Sequence, residues 1–303
     1  MIRKKHAFRR AVFLPLILFI SMIAGSMQAE ALETKSFIWE VTSDTATVFV
    51  MGSIHAARPD MYPLSPAIEG AFNKSSCLVV EVNPFTIDEK KMQAIIEKKG
   101  YYPANDQIGN HIQTPLYHDL TTYLQQAGIP LERVSRMRPG FLSFSLTAAH
   151  MIKLGYLPEN GVDLYFLKKA KDRKQILALE TMEEQLNLLL DMPDENLYLK
   201  YTLSDLENAG QILQVMTSAW LNGDAQGMYD SVIGPYVTDP EMRPLLDRLF
   251  FQRNLKMTAK IKGLLKTGLT SFVVVGAGHL VGEKGIVELL KQDHYKVRQL
   301  GKN

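Results

Sequence analysis

Apolar and polar positions alternate in two different ways along the chain, and the difference separates its ends from its middle. Short runs of β-branched and aromatic residues predict strands at residues 37–41, 45–51, 77–82, 272–275 and 295–300. Apolar residues at helical spacing predict a helix within each end, at residues 66–73 and 283–291. Each end of the chain is therefore expected to form a strand–helix–strand unit, and the two units to form halves of one sheet.

The middle of the chain is mostly helical in its pattern. Helices are predicted at residues 116–126, 141–154, 162–171, 203–221 and 243–265. A short strand at 174–179 interrupts them and ends at Glu180. The sequence thus predicts a mixed α/β (α+β) fold, with a central sheet and a helical insertion, as a single domain over residues 32–303.

Residues 1–31 have the composition of a signal peptide. A basic segment precedes an apolar run from about residue 11 to 27, and Ala29-Glu30-Ala31 offers a small-x-small cleavage site. The alternative is an uncleaved membrane anchor, because the apolar run approaches spanning length. Pro15 and the small residues that follow the run favour cleavage, so the protein is expected in a bacterial periplasm or secreted, with membrane contact only if this segment is uncleaved.

Charge and motif content exclude several function classes. Removal of residues 1–31 changes the formal net charge from +2 to −2, and no basic stripe with interleaved aromatic residues remains for a nucleic acid. The single cysteine, Cys77, cannot form an intrachain disulfide and is expected in the core. No serine-hydrolase elbow, P-loop, Cys-x-x-Cys pair or His-Glu-x-x-His helix occurs.

Four ionisable residues share one context, the end of an apolar strand. His55 and His279 each close a Gly-x-x-His step, Glu81 lies at the end of the strand predicted at 77–82, and Glu180 follows the strand predicted at 174–179. Imidazole nitrogens and carboxylate oxygens that converge at strand ends can hold a divalent metal. Structural histidines, ion pairs and helix caps are the alternatives for each residue alone.

Arg253 and Asn254 place a guanidinium and an amide side by side on the predicted helix at 243–265. This pair is predicted to orient a substrate carboxylate or carbonyl. A surface ion pair is the alternative.

These motifs, in this order, resemble the TraB/PrgY/GumN family, which is similar to the metalloprotease-like Tiki proteins of animals. The resemblance spans residues 37–300 and rests on the two Gly-x-x-His steps, on Val80-Glu81, and on four further segments: Gly161-Val-Asp163, Leu179-Glu-Thr-Met-Glu-Glu-Gln185, Trp220-Leu-Asn-Gly-Asp224 and Arg253-Asn254. It implies an erythromycin-esterase/ChaN-like α/β fold. It also implies metal ligation by His55 and His279, with manganese, cobalt or zinc as the ion.

The sequence supports two hypotheses about function. The first is a metal-dependent hydrolase, most simply a peptidase, acting on a peptide or small extracellular substrate. In it one of Glu81 and Glu180 completes the metal shell and the other is the general base, with the order left open. The second is a binding protein that sequesters a peptide, haem or metal at the same site without turnover.

Overall fold

The computed structural model describes residues 35–303, so the signal peptide predicted at residues 1–31 lies outside the described residues. The described residues fall within one compact unit. They contain a central sheet of six strands: β1 Lys35–Thr42, β2 Thr47–Ser53, β3 Cys77–Val80, β4 Gln175–Ala178, β5 Thr270–Gly276 and β6 Lys296–Gly301. The predicted mixed α/β class is confirmed, and the sheet draws strands from both ends of the chain.

The two ends of the chain interleave in the sheet. The strand order is β4-β3-β5-β2-β1-β6, so β5 from the C-terminal end lies between β3 and β2 from the N-terminal end. β4, β3, β5 and β2 are mutually parallel, whereas β1 is antiparallel to both of its neighbours. The carboxyl ends of four parallel strands therefore meet at one edge of the sheet.

Helices surround this sheet and form the insertion between β3 and β5. In chain order they are α1 Pro66–Lys74, α2 Glu89–Gly100, α3 Thr114–Ala127, α4 Leu131–Val134, α5 Pro139–Lys153, α6 Val162–Ala170, α7 Met182–Leu190, α8 Glu195–Glu207, α9 Ala209–Leu221, α10 Ala225–Val232, α11 Gly234–Val237, α12 Arg243–Leu246, α13 Gln252–Leu264 and α14 Ile286–Gln292. Within residues 35–303, none of the helices has the length and apolar character needed to cross a membrane.

Two long predicted helices differ from the structure. The helix predicted at 203–221 is wrong as one element, because Asn208 ends α8 and begins α9. Asparagine favours helix termini over helix interiors, since its side chain competes for backbone hydrogen bonds. The helix predicted at 243–265 is continuous but contains one π-helical segment, Asp247–Phe251, directly before α13. Such segments are frequent next to functional sites.

The core lies on both faces of the sheet. β2, β3 and β5 are buried almost completely, as expected for parallel strands covered by helices on both sides. Cys77 is buried at the start of β3, which confirms the predicted core thiol. Residues of α3, α5 and α8 form a second apolar cluster in the helical insertion.

The carboxyl end of β2 is fixed by a close contact and by one buried hydrogen bond. A Cβ on Gly52 would lie 2.5 Å from the Phe37 ring, so only glycine allows β1 and β2 to pack in this way. The Gly52 carbonyl accepts a hydrogen bond from the indole Nε1 of Trp220, at 2.8 Å. Because His55 lies three residues further on, this bond helps to position it.

The Trp220→Phe substitution is expected to lower the free energy of unfolding by about 2 kcal/mol, since it leaves the buried Gly52 carbonyl without its donor. Urea denaturation would measure this loss. The matched control is Val215→Ala on the same helix, at a side chain that is 48% exposed, with an expected change within about 0.5 kcal/mol. Equal effects of the two substitutions would contradict the structural role assigned to Trp220.

Candidate active site

The four ionisable residues predicted from strand ends lie at the same edge of the sheet. Glu81 directly follows β3, Glu180 is the second residue after β4, and His55 and His279 follow β2 and β5. β3 and β4 are adjacent, and the Glu180 N–H donates to the Glu81 carbonyl at 2.7 Å. The strand topology alone therefore brings two carboxylates and two imidazoles into one region.

Three of these side chains converge on the Cα of Gly276, the last residue of β5. A Cβ at this position would lie 3.2 Å from His55 Nε2, 3.3 Å from Glu81 Oε1 and 3.6 Å from His279 Cδ2. The Gly276 N–H also donates to Glu81 Oε1, at 2.6 Å. Glycine thus leaves the space that the three functional groups share, and its backbone orients the carboxylate.

His279 is held in one tautomer by the residue behind it. Its Nδ1 lies 2.6 Å from Asn254 Oδ1, and the Asn254 Nδ2 donates to the Lys284 carbonyl at 2.8 Å. Since the amide nitrogen is engaged by Lys284, the Oδ1 atom faces the ring and accepts the Nδ1 proton. This tautomer leaves the His279 Nε2 atom unprotonated, 3.8 Å from Glu81 Oε1.

His55 is restrained in the same way by a carboxylate. Its Nδ1 lies 3.1 Å from Asp163 Oδ2, so Nδ1 donates and Nε2 faces Gly276. The fold builds this contact by packing the start of α6 against the His55 loop, because Val162 N–H donates to the Ile54 carbonyl at 3.0 Å. A Cβ on Gly161 would lie 2.4 Å from the His55 carbonyl oxygen, so the approach requires glycine.

Arg253 bridges the two glutamates. Its Nε and Nη2 donate to the two carboxylate oxygens of Glu180, at 2.8 and 2.7 Å, and Nη2 also donates to Glu81 Oε2 at 2.8 Å. Gln185 Nε2 donates to the same Glu81 oxygen at 2.8 Å and to Glu180 Oε2 at 3.1 Å. These bonds hold Glu81 Oε2 and leave Oε1 on the side of the histidines.

The predicted substrate-binding pair occupies positions behind this cluster. Asn254 is 1% exposed and its amide is engaged by His279 and Lys284. The Arg253 side chain is 14% exposed and three of its hydrogen bonds go to the two glutamates. Direct contact of either residue with a substrate stays a prediction, and the observed contacts of Asn254 give it the task of orienting His279.

Sequence reasoning missed two residues of the cluster. Asp163 appeared only as part of the Gly161-Val-Asp163 segment, and Gln185 only as the last residue of the Leu179–Gln185 segment. Both lie on helices, α6 and α7, that tertiary packing carries to the sheet edge. The one local signal concerned Asp163, which lies two residues after Gly161 at the start of a predicted helix. An acidic residue there is as typical of a helix N-terminus as of a functional site.

The shared environment shifts the pKa values of the cluster in different directions. Burial raises the pKa of Glu81, but His279, His55, Arg253 and the Gly276 N–H together lower it to about 2. Burial lowers the pKa of His279 to about 4, against the attraction of Glu81. For His55, desolvation lowers the pKa, but the hydrogen bond and charge of Asp163 outweigh it and raise the pKa above its usual value. At neutral pH the site thus holds an ionised Glu81 beside a neutral His279.

The buried His279 predicts a pH dependence of stability in the metal-free protein. Because its folded pKa of about 4 lies below the unfolded value of 6.5, the unfolded chain binds the additional proton as the pH falls. The free energy of unfolding should therefore decrease between pH 6.5 and pH 4, by at most about 3 kcal/mol from this residue. Urea denaturation across this range should give a shallower pH slope for His279→Gln.

His118→Gln, at an exposed position, is the matched control and should keep the parent slope. Glu81 contributes in a lower window, from its unfolded pKa near 4.3 down to about 2, so the two contributions are separable. Identical slopes for the parent and His279→Gln between pH 6.5 and pH 4 would contradict the assignment.

The donor types in the cluster fit a divalent transition metal. No group of three or more His, Cys, Asp or Glu side chains in residues 35–303 is arranged to hold a metal ion in the observed geometry. His55 Nε2, Glu81 Oε1 and the His279 ring nevertheless surround one point at Gly276. Two imidazoles and one carboxylate are donors of catalytic sites, and the Nδ1 contacts to Asp163 and Asn254 match the outer contacts of metal-bound histidines.

Comparison with known proteins adds evidence of kinship. The model of the TraB/PrgY/gumN family matches residues 37–299. Uncharacterized protein YbaP of Escherichia coli (strain K12) is 29% identical over 244 residues, which cover 80% of this chain and 87% of that protein. Metalloprotease TIKI1 of Danio rerio is 24% identical, over 88% of this chain and 63% of that protein. No solved structure gives a significant match.

Proposed function

Because this chain belongs to the TraB/PrgY/gumN family, we propose that it is a metal-dependent hydrolase that cleaves peptides. The observation that carries the proposal is the convergence of His55, Glu81 and His279 on Gly276. The likeness to Metalloprotease TIKI1 over most of the chain supports a hydrolytic, metal-dependent activity. The basic and apolar sequence of residues 1–31 supports action in the periplasm or after secretion.

In this proposal His55 and His279 hold the ion through Nε2, and Glu81 supplies a carboxylate oxygen. A bound divalent ion of this kind lowers the pKa of a water molecule and polarises a substrate carbonyl. Manganese, cobalt and zinc are the candidate ions, because all three accept mixed imidazole and carboxylate donors.

The remaining residues of the cluster position these groups. Asp163 and Asn254 fix the two imidazole rings, and Arg253 with Gln185 fixes Glu81. Glu180 binds the Arg253 guanidinium through both carboxylate oxygens, so we assign it to holding that charge in place. The exchange of a proton with the reacting water by either glutamate stays a prediction.

The second candidate is a protein that binds a metal or peptide without turnover. It is favoured by the engagement of both Glu180 oxygens and of Glu81 Oε2 with Arg253 and Gln185. A carboxylate that is fully engaged accepts a proton from water less readily than a free one. The two candidates share one site and differ in whether product accumulates.

The His55→Ala/His279→Ala double variant is expected to lose bound metal and at least 99% of any peptide-cleaving activity, since both imidazole donors are removed. The parent, equilibrated with manganese, cobalt or zinc and desalted, should retain about one ion per chain. Plasma mass spectrometry would measure the metal content, and a quenched-fluorescence peptide library would report cleavage. Both proteins should be prepared without a histidine tag.

The control is His118→Ala/His150→Ala, which removes two histidines from helices α3 and α5 and should keep metal and activity. Equal metal content in the parent and the site variant would refute the metal assignment. One bound ion in the parent, lost in the site variant, with no peptide cleaved by either would select the binding protein instead.

The Gly276→Ala substitution tests the shared space directly. The added methyl group would lie 3.2 Å from His55 Nε2 and 3.3 Å from Glu81 Oε1, so these groups must shift. We expect the affinity for metal to fall about tenfold or more, in the range seen when contacts around metal ligands are altered. Metal titration by calorimetry would measure it.

Gly263→Ala on α13 is the matched control, because its added methyl group would meet nothing within 4 Å. It should leave metal affinity unchanged. A Gly276→Ala protein with parental affinity would show that the space at Gly276 has no part in the site.

A further inference from the structure

An apolar groove of about 500 Å³ lies along helix α7, the helix whose Gln185 contacts the candidate active site. Its apolar lining comes from the loop after β3, from α2 and the residue that follows it, and from α7. These side chains are half-buried and belong to none of the apolar clusters of the described core. They are Ile87, Met92, Ile96, Tyr101, Met182 and Leu186.

Two ion pairs connect α2 with α7, the two helices that form the groove. Lys91 Nζ lies 2.5 Å from Glu183 Oε2, and Lys99 Nζ lies 2.6 Å from Asp191 Oδ2. Lys99 also donates to Asn187 Oδ1, at 2.8 Å. Since these contacts join α2 to α7 at positions two turns apart on each helix, the groove exists before any ligand enters it.

Helix α7 is shared by the groove and the active site. Met182 and Leu186 lie one turn apart and face the groove. Gln185, between them in the sequence, turns to Glu81 and Glu180. A molecule in the groove therefore lies beside the helix that supports the candidate catalytic carboxylates.

Two exposed acidic residues of α2 lie at the rim of the groove. Glu89 and Glu97 line it, and within residues 35–303 neither forms a salt bridge. The side chain of Glu97 accepts a neutral hydrogen bond from Gln93 at 3.0 Å. Two carboxylates without a cationic partner around an apolar floor complement an apolar group that has a positive charge next to it.

We propose that this groove is a specificity pocket that takes a bulky apolar side chain of a peptide substrate, with a basic residue beside it at the rim. The inference rests on the proposed function, since the peptide would be the molecule that is cleaved. A volume of about 500 Å³ is within the range of ligand pockets and accommodates one large or two adjacent apolar side chains. An apolar pocket of this kind discriminates among side chains by about tenfold to two-hundredfold.

The test uses a matched set of short dye-labelled peptides. They differ at one central position, which is leucine, phenylalanine, serine or glutamate, with either lysine or serine next to it. Binding to the metal-free full-length protein is measured by fluorescence anisotropy, so that no turnover is needed. The peptides with leucine or phenylalanine should bind at least about tenfold more tightly than those with serine or glutamate.

Two groove variants and two controls locate the effect. Leu186→Gln and Ile96→Gln should each abolish most of this preference, whereas Leu186→Met should keep it. Leu269→Gln, at a side chain that is 51% exposed in the turn before β5, should bind like the parent. Glu97→Gln should reduce only the advantage of lysine over serine beside the apolar residue.

The outcomes separate this inference from the proposed function. The His55→Ala/His279→Ala variant should keep the apolar preference, because the groove lies outside the metal donors. Groove-dependent binding without any cleavage by the metal-loaded parent would support the pocket and overturn the hydrolase. Cleavage with the same kcat/KM in the parent and in Leu186→Gln, or tighter binding of a dodecanoate probe than of every peptide, would overturn the pocket.

Discussion

The site depends on the guanidinium of Arg253 between two buried carboxylates. β3 and β4 are adjacent and parallel, so Glu81 and Glu180 emerge side by side at their carboxyl ends. Two carboxylates held this close together and shielded from water repel each other, so the arrangement requires a cation between them. Arg253 supplies that cation with bonds to both, and thereby frees Glu81 Oε1 to meet the Gly276 N–H and the histidines.

The charges around Gly276 leave room for one more cation. Glu81, Glu180 and Asp163 carry three formal negative charges, and Arg253 carries one positive charge. If both imidazoles are neutral, as metal ligation would require, two negative charges are left, which a divalent ion would balance. Desolvation lowers the pKa of His55, but the carboxylates of Asp163 and Glu81 raise it above its usual value, which reflects the same excess of negative charge. Electrostatics and donor types therefore point to the same kind of ligand.

Local sequence patterns predicted the four residues of this site that lie at strand ends. His55, Glu81, Glu180 and His279 each end an apolar run, and parallel strands place such ends at one edge. The insertion of β5 between β3 and β2 was not foreseeable, because strand order depends on long-range packing. Asp163 and Gln185 were missed for the same reason, since nothing in their own helices indicates which loop they will face. The break at Asn208 shows the converse, a local preference overlooked within a strong apolar pattern.

Helix α7 contributes to both the candidate active site and the groove, but through different residues. A capping box between Thr181 and Glu184 fixes the first turn directly after Glu180, and with it the direction in which each side chain points. Gln185 thereby points at the two glutamates, and its replacement would remove its hydrogen bonds to Glu81 and Glu180. Met182 and Leu186 line the groove and form no hydrogen bond with these groups. Substitutions at these two positions can therefore alter which side chain the groove accepts while the carboxylates, their guanidinium and the histidines stay in place.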